Sequence, residues 1–101
     1  MPEIFINIIT VPEGREEETL EAWRAISDLM EASEHCLSTK LHQHRKNPRL
    51  LVNYAIHPSM EAFLEISRSP EFIALSARLT ELGVERVPGV YDIIHGFGVS
   101  P

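Results

Sequence analysis

The chain has 101 residues, 44% hydrophobic and 24% charged, which suits one globular domain over residues 1–101 with one modest core. A net charge of −6 with no basic stripe argues against nucleic acid and against an anionic membrane surface as partners. No apolar run is long enough to span a bilayer, the first residues lack secretory-signal features, and the lone Cys36 leaves no internal disulfide and no cysteine zinc cage, so a cytoplasmic location is expected.

Residues 4–11, from Ile4 to Val11, predict a first strand. A strand with one wet face alternates apolar and polar residues; this one is apolar on both faces except at Asn7 and Thr10. A buried amide must find partners, so Asn7 is either a structural clamp or part of a pocket. Pro12-Glu13-Gly14 reads as a turn. Residues 15–33 predict a helix, with Leu20, Trp23, Ile26 and Met30 at helical spacing and Glu16, Glu17 and Glu18 at the positive end of its dipole. Residues 36–45 and 50–57 predict a hairpin about an Asn47-Pro48 turn.

Ser59 is the expected N-cap of a helix carrying Met60, Phe63, Leu64 and Ile66. Ser69-Pro70 caps another, which runs to Leu82 and stops at Gly83 with Phe72, Leu75, Leu79 and Leu82 inward and Ser76 at the edge. Residues 89–96 predict a fourth strand, with a loose tail over 96–101. The order strand, helix, strand, strand, helix, strand defines an α+β, ferredoxin-like βαββαβ fold with an antiparallel four-stranded sheet. Its helices cover one sheet face, yet the first, third and fourth strands are apolar on both. A second copy of the chain is the simplest cover for the other face, which predicts a homodimer with the two sheets packed together.

On the third strand Leu51, Asn53, Ala55 and His57 share a face. With Asn7 on that side, three polar groups converge between sheet and helices, where Trp23, Phe63 and Phe72 form walls and Tyr91 is a further wall candidate. An apolar pocket with a few convergent polar groups suits a small aromatic molecule. The same amides also serve as backbone clamps, and His57 as a strand end before Pro58. His42 and His44, spaced i and i+2, suggest a metal pair for which His95 or His57 could supply a third ligand, but no spaced carboxylate fits, and polar residues on an edge strand are the favoured reading. His35 and Cys36 are adjacent on a strand and point to opposite faces, so they do not form a thiol–imidazole pair.

Several segments together resemble the antibiotic biosynthesis monooxygenase family. They are Ile6-Asn7, Val11-Pro12-Glu13-Gly14-Arg15-Glu16-Glu17, Leu20 with Trp23, Leu37-Ser38-Thr39-Lys40-Leu41-His42, Asn53-Tyr54-Ala55 and Ser69-Pro70-Glu71-Phe72. The likeness covers roughly residues 3–96; each segment is only moderately specific, and order and spacing carry it. It implies a dimeric α/β barrel with its pocket between sheet and helices. It further implies a cofactor-independent oxygenase, free of metal and flavin, acting on anthrone-type polyketide intermediates in antibiotic and other secondary metabolism. The family's usual Asn-x-Ala-x-Trp reads Asn53-Tyr54-Ala55-Ile56-His57 here, with His57 in place of tryptophan. A heme-degrading branch carries a histidine where Ser76 stands; Asn7 is retained, but two of that branch's three site residues differ, so heme degradation is not expected. A histidine at position 57 suits a general base near neutral pH, with Asn7 or Asn53 bonding an enolate oxygen. The same residues serve a cyclase or isomerase working by proton transfer, and a non-catalytic small-molecule-binding dimer is the third reading.

Overall fold

The computed structural model describes residues 2–99. It contains β1 (Glu3–Thr10), α1 (Glu16–Ala32), β2 (Ser38–Gln43), β3 (Leu50–His57), α2 (Met60–Ser67), α3 (Pro70–Glu81) and β4 (Glu85–Tyr91). The strands form one sheet in the order β2-β3-β1-β4, with every neighbouring pair antiparallel. This is the ferredoxin-like arrangement, with the second helical crossover divided into α2 and α3.

Local chemistry sets the helix ends. The Glu16 carboxylate turns back to accept from the backbone N–H groups of Gly14 (2.7 Å) and Arg15 (3.1 Å), so the first turn of α1 closes without a side-chain cap from Arg15. Ser59 Oγ accepts from Ala62 N at 3.1 Å and Ser69 Oγ from Phe72 N at 3.2 Å, as their spacing predicts. Ser69 Oγ also donates to Ile66 O at 2.8 Å, so one hydroxyl joins the end of α2 to the start of α3. Gly83 follows α3 at φ 83°, a left-handed conformation that would strain other residues.

The helices pack on one sheet face. Ile9 and Leu51 from the sheet meet Ala22, Trp23, Ile26 and Met30 of α1, Ile66 of α2 and Leu79 of α3 in a continuous core. Pairing register divides the side chains. Phe5, Asn7, Ile9, Leu51, Asn53, Ala55 and His57 face the helices. Ile4, Ile6, Ile8, Val52, Tyr54 and Ile56 face away, together with Val87 and Tyr91. On this outer face Ile8, Val87 and Tyr91 are exposed and Ile6, Val52 and Tyr54 half-buried.

The fourth strand lies four residues earlier than its apolar run suggests. It pairs from Thr10↔Glu85 to Ile4↔Tyr91, and β1 itself begins at Glu3, so little partner strand lies beyond Tyr91. Pro88 is accommodated within β4 because this is an edge strand with one side unpaired. Asp92–Val99 form no strand, and Ile94, Phe97 and Val99 are fully exposed. The second strand is shorter than 36–45 at both ends. Of the tail and the full 1–101 extent, residues 1, 100 and 101 lie outside the described residues.

Ser69→Ala removes the hydroxyl that caps α3 and ties it to α2. It is expected to cost about 1 kcal/mol of stability, read as a lower urea midpoint at unchanged m-value.

Candidate functional site

Because α1, α2 and α3 arch over the strands, a cavity of about 400 Å³ lies between them and the sheet. This is within the range of about 300–1,000 Å³ usual for small-molecule sites. Phe5, Asn7, Asn53, Ala55 and His57 form its floor. Trp23, Ile26 and Met30 of α1, Phe63 of α2 and Phe72 of α3 form its roof. Thr39 borders it from β2, and Ser76, Arg86 and Pro88 close the α3–β4 side.

Asn7 and Asn53 are direct cross-strand partners on the inner face. Thr39 Oγ1 donates to Asn53 Oδ1 at 3.2 Å, which leaves the Asn53 Nδ2 protons without a partner among the described residues. Asn7 Oδ1 is buried and accepts no hydrogen bond. An orphaned buried acceptor costs about 1–3 kcal/mol, so this position favours a bound molecule or water that brings a donor. The two amides thus offer a donor and an acceptor side by side, with orientations set by the hydrogen-bond network.

His57 lies four residues beyond Asn53 on the same strand face and is 1% exposed. Its Nδ1 lies 2.8 Å from His35 O; because a carbonyl only accepts, Nδ1 carries the proton and Nε2 is left as the unengaged acceptor. The ring meets Phe5 and Phe63 edge-on, at centroid distances of 4.9 and 5.2 Å. Burial among these rings lowers its pKa from 6.5, against the opposing effect of the His35 carbonyl. The imidazole is therefore neutral at pH 7, with a free lone pair.

The fold thus gathers six of the seven sequence-predicted site residues: Asn7, Asn53, His57, Trp23, Phe63 and Phe72. Tyr91, the seventh, does not line the cavity. It pairs with Ile4 on the outer face, and its ring lies over Gly89, where an added Cβ would come 3.1 Å from Tyr91 Cε1. Ile26 and Met30 follow from the helical period that begins at Trp23, and Ser76 from that of Phe72. Arg86 carries no such signal, because its strand is displaced from the apolar run.

His42 and His44 stay apart from this site. His42 is on the outer face with Nδ1 3.3 Å from Val52 O, and His44 Nδ1 accepts from Lys46 N and Asn47 N in the hairpin turn. Among the described residues no three histidine, cysteine or acidic side chains cluster as a metal site. Burial pushes the Cys36 thiol pKa up, which makes it a weak nucleophile at neutral pH. No helix among the described residues is long and apolar enough to cross a membrane.

Fold and cavity together define a small ferredoxin-like protein with an aromatic-walled pocket between sheet and helices. The chain belongs to the antibiotic biosynthesis monooxygenase family, whose sequence model matches residues 4–78. Among solved structures it is similar to SnoaB, a cofactor-independent oxygenase from Streptomyces nogalater, at 19% identity and TM-score 0.84, covering 94% of this chain and 95% of that one. It is similar also to a conserved protein from Methanosarcina mazei, at 17% identity and TM-score 0.83 over 90% and 91% of the two chains. A candidate antibiotic biosynthesis monooxygenase from Deinococcus radiodurans superposes at TM-score 0.84 over 100% of both chains with 12% identity. At these identities the likeness establishes the fold. No curated protein matches the sequence.

The state of His57 couples to stability. Its pKa is lower folded than unfolded, so the native state binds fewer protons between the two values. The contribution is fully present above pH 6.5 and is lost as pH falls through the folded value. Urea midpoints measured across this window are expected to drop with acidification in the wild type and to flatten in His57→Gln.

Proposed function

We propose that this protein is a cofactor-independent monooxygenase acting on an anthrone-type polycyclic aromatic in secondary metabolism. The observation that carries the reading is His57: a neutral imidazole whose Nδ1 proton is held by His35 O, leaving Nε2 as the free base in an aromatic-walled cavity. An anthrone has an acidic methylene flanked by two aryl rings, para to a carbonyl across the central ring. His57 Nε2 takes one methylene proton, and charge moves onto the carbonyl oxygen. The Asn53 Nδ2 protons donate to that oxygen as it becomes anionic, while Asn7 Oδ1 accepts from a ring hydroxyl.

The electron-rich anion then reduces O2, and a carbon–oxygen bond forms at the deprotonated carbon to give a hydroperoxide after protonation. The O–O bond breaks as the second methylene hydrogen leaves as a proton. One oxygen atom remains as the new carbonyl and the other departs as water. Substrate carbon is oxidised by four electrons and one O2 is reduced, so the overall change is anthrone plus O2 to quinone plus water. The apolar walls exclude bulk water from the anion.

The proposal includes a homodimer formed through the outer sheet face. Ile8, Val87 and Tyr91 are exposed there, beside half-buried Ile6, Val52 and Tyr54, making a patch that association would remove from water. It also places the protein in the cytoplasm, where the free Cys36 stays reduced.

The chemistry is tested by oxygen uptake with 1,8-dihydroxy-9-anthrone in metal-free buffer. Wild type is expected to consume one O2 per quinone formed, and His57→Ala to lower kcat by about 10²- to 10⁴-fold. Turnover under strict anaerobiosis would instead identify a cyclase or isomerase, and no turnover a binding protein. Sedimentation is expected to give a dimer for wild type and a folded monomer for Val87→Lys, since Val87 is 61% exposed within one chain.

A further inference from the structure

A second cavity, of about 390 Å³, lies between α1 and β2 at the margin of the sheet. Ser27, Met30 and Glu31 of α1 form one wall and the segment Cys36–Lys40 forms the other. Thr39 points to the inner face, paired with Ala55, whereas Ser38 and Lys40 point outward, paired with Ile56 and Tyr54. A cavity lined by all three therefore runs along the free edge of β2. That strand ends the sheet, so every second backbone N–H and C=O along it faces away from β3.

The two walls carry opposite charges, Glu31 on the helix and Lys40 on the strand. Among the described residues, ion pairs are made only by Arg15 and Arg78 with Glu18, so neither charge is neutralised by a partner. Lys40 Nζ donates to Ser38 Oγ at 3.2 Å, which holds the ammonium at the wall and leaves it further N–H donors. Cys36 Sγ donates to Ser38 O at 3.4 Å, so the thiol braces the strand. Buried Met30 and exposed Leu37 add apolar surface to the same lining.

We infer that this cavity is a second ligand site, for a zwitterionic α-amino acid with an apolar side chain. The carboxylate of the ligand meets Lys40 and its ammonium meets Glu31. The free edge of β2 adds backbone N–H and C=O groups to these two charged heads. The ligand side chain rests on Met30 and Leu37. A molecule with a single charge satisfies one wall and leaves the other to water. The site does not depend on the reaction proposed above, but it adjoins the first cavity. Met30 and Thr39 line both, and Thr39 Oγ1 holds Asn53. An occupant here touches the support of Asn53 without entering the first cavity.

The probes are L-leucine, N-acetyl-L-leucine, which lacks the ammonium, and L-leucinamide, which lacks the carboxylate. Binding is read from ¹H–¹⁵N chemical shifts of the full chain. Wild type is expected to show saturable shifts at Ser38, Thr39 and Lys40 with leucine, and to bind either analogue about fivefold more weakly, the scale of one solvent-exposed ion pair. Lys40→Gln is expected to weaken leucine about fivefold and to leave leucinamide within about twofold. Glu31→Gln is expected to weaken leucine by about the same factor and to leave N-acetyl-leucine within about twofold. Both side chains are exposed, so both variants are expected to keep the fold. Absence of saturable shifts with leucine, equal binding of leucine and either analogue, or full leucine affinity in either variant would overturn the inference. No readout involves oxygen uptake, so failure of the oxygenase reading leaves this one standing.

Discussion

The pairing of β1 with both β3 and β4 is the constraint on which the rest of the molecule depends. Only one register sets Ile9 into the core under the helices, and that same register puts Asn7 beside Asn53 and across from Pro88. A slip of one residue would turn every side chain of β1 over, moving Asn7 and Ile9 onto the outer face and Ile4, Ile6 and Ile8 toward the helices. Burial of Ile9 and Leu51, at 0% and 1% exposure, therefore fixes the alignment of the polar groups as well as the core. The site is built at the places where the same inner face carries a polar residue instead of an apolar one.

Chemistry follows from what surrounds each of those polar groups. His57 is surrounded by Phe5 and Phe63 and tethered by a single backbone carbonyl, so its environment selects the neutral form and one tautomer. Asn53 is held by Thr39, whereas the Asn7 oxygen is held by nothing, and this difference separates a positioned donor from a vacant acceptor. Arg86 is held by two hydroxyls that leave its charge intact. A titratable base thus stands at position 57, on the inner face of the third strand.

Much of this was legible in the sequence, for definite reasons. The α1 stripe, the β2–β3 hairpin and the two serine caps are local patterns, in which residues within four positions of one another determine the element. Asn53 and His57 sharing a face follows from strand periodicity alone. The boundaries of β4 are non-local: they are set by the extent of β1, some eighty residues earlier, and not by the apolar run Val90-Tyr91-Ile93-Ile94. The displaced strand also accounts for both discrepancies at the site. It hides Arg86 in an apparent loop, and only the true register shows Tyr91 on the outer face over Gly89.

The central claim is that His57 presents a free, neutral Nε2 within the cavity. The most direct measurement is a ¹⁵N NMR titration of the imidazole nitrogens, with His57 assigned by its loss in His57→Gln. The account predicts a protonated Nδ1, an unprotonated Nε2 at pH 7 and a pKa below 6.5. An Nε2–H tautomer, or a pKa above 6.5, would contradict it.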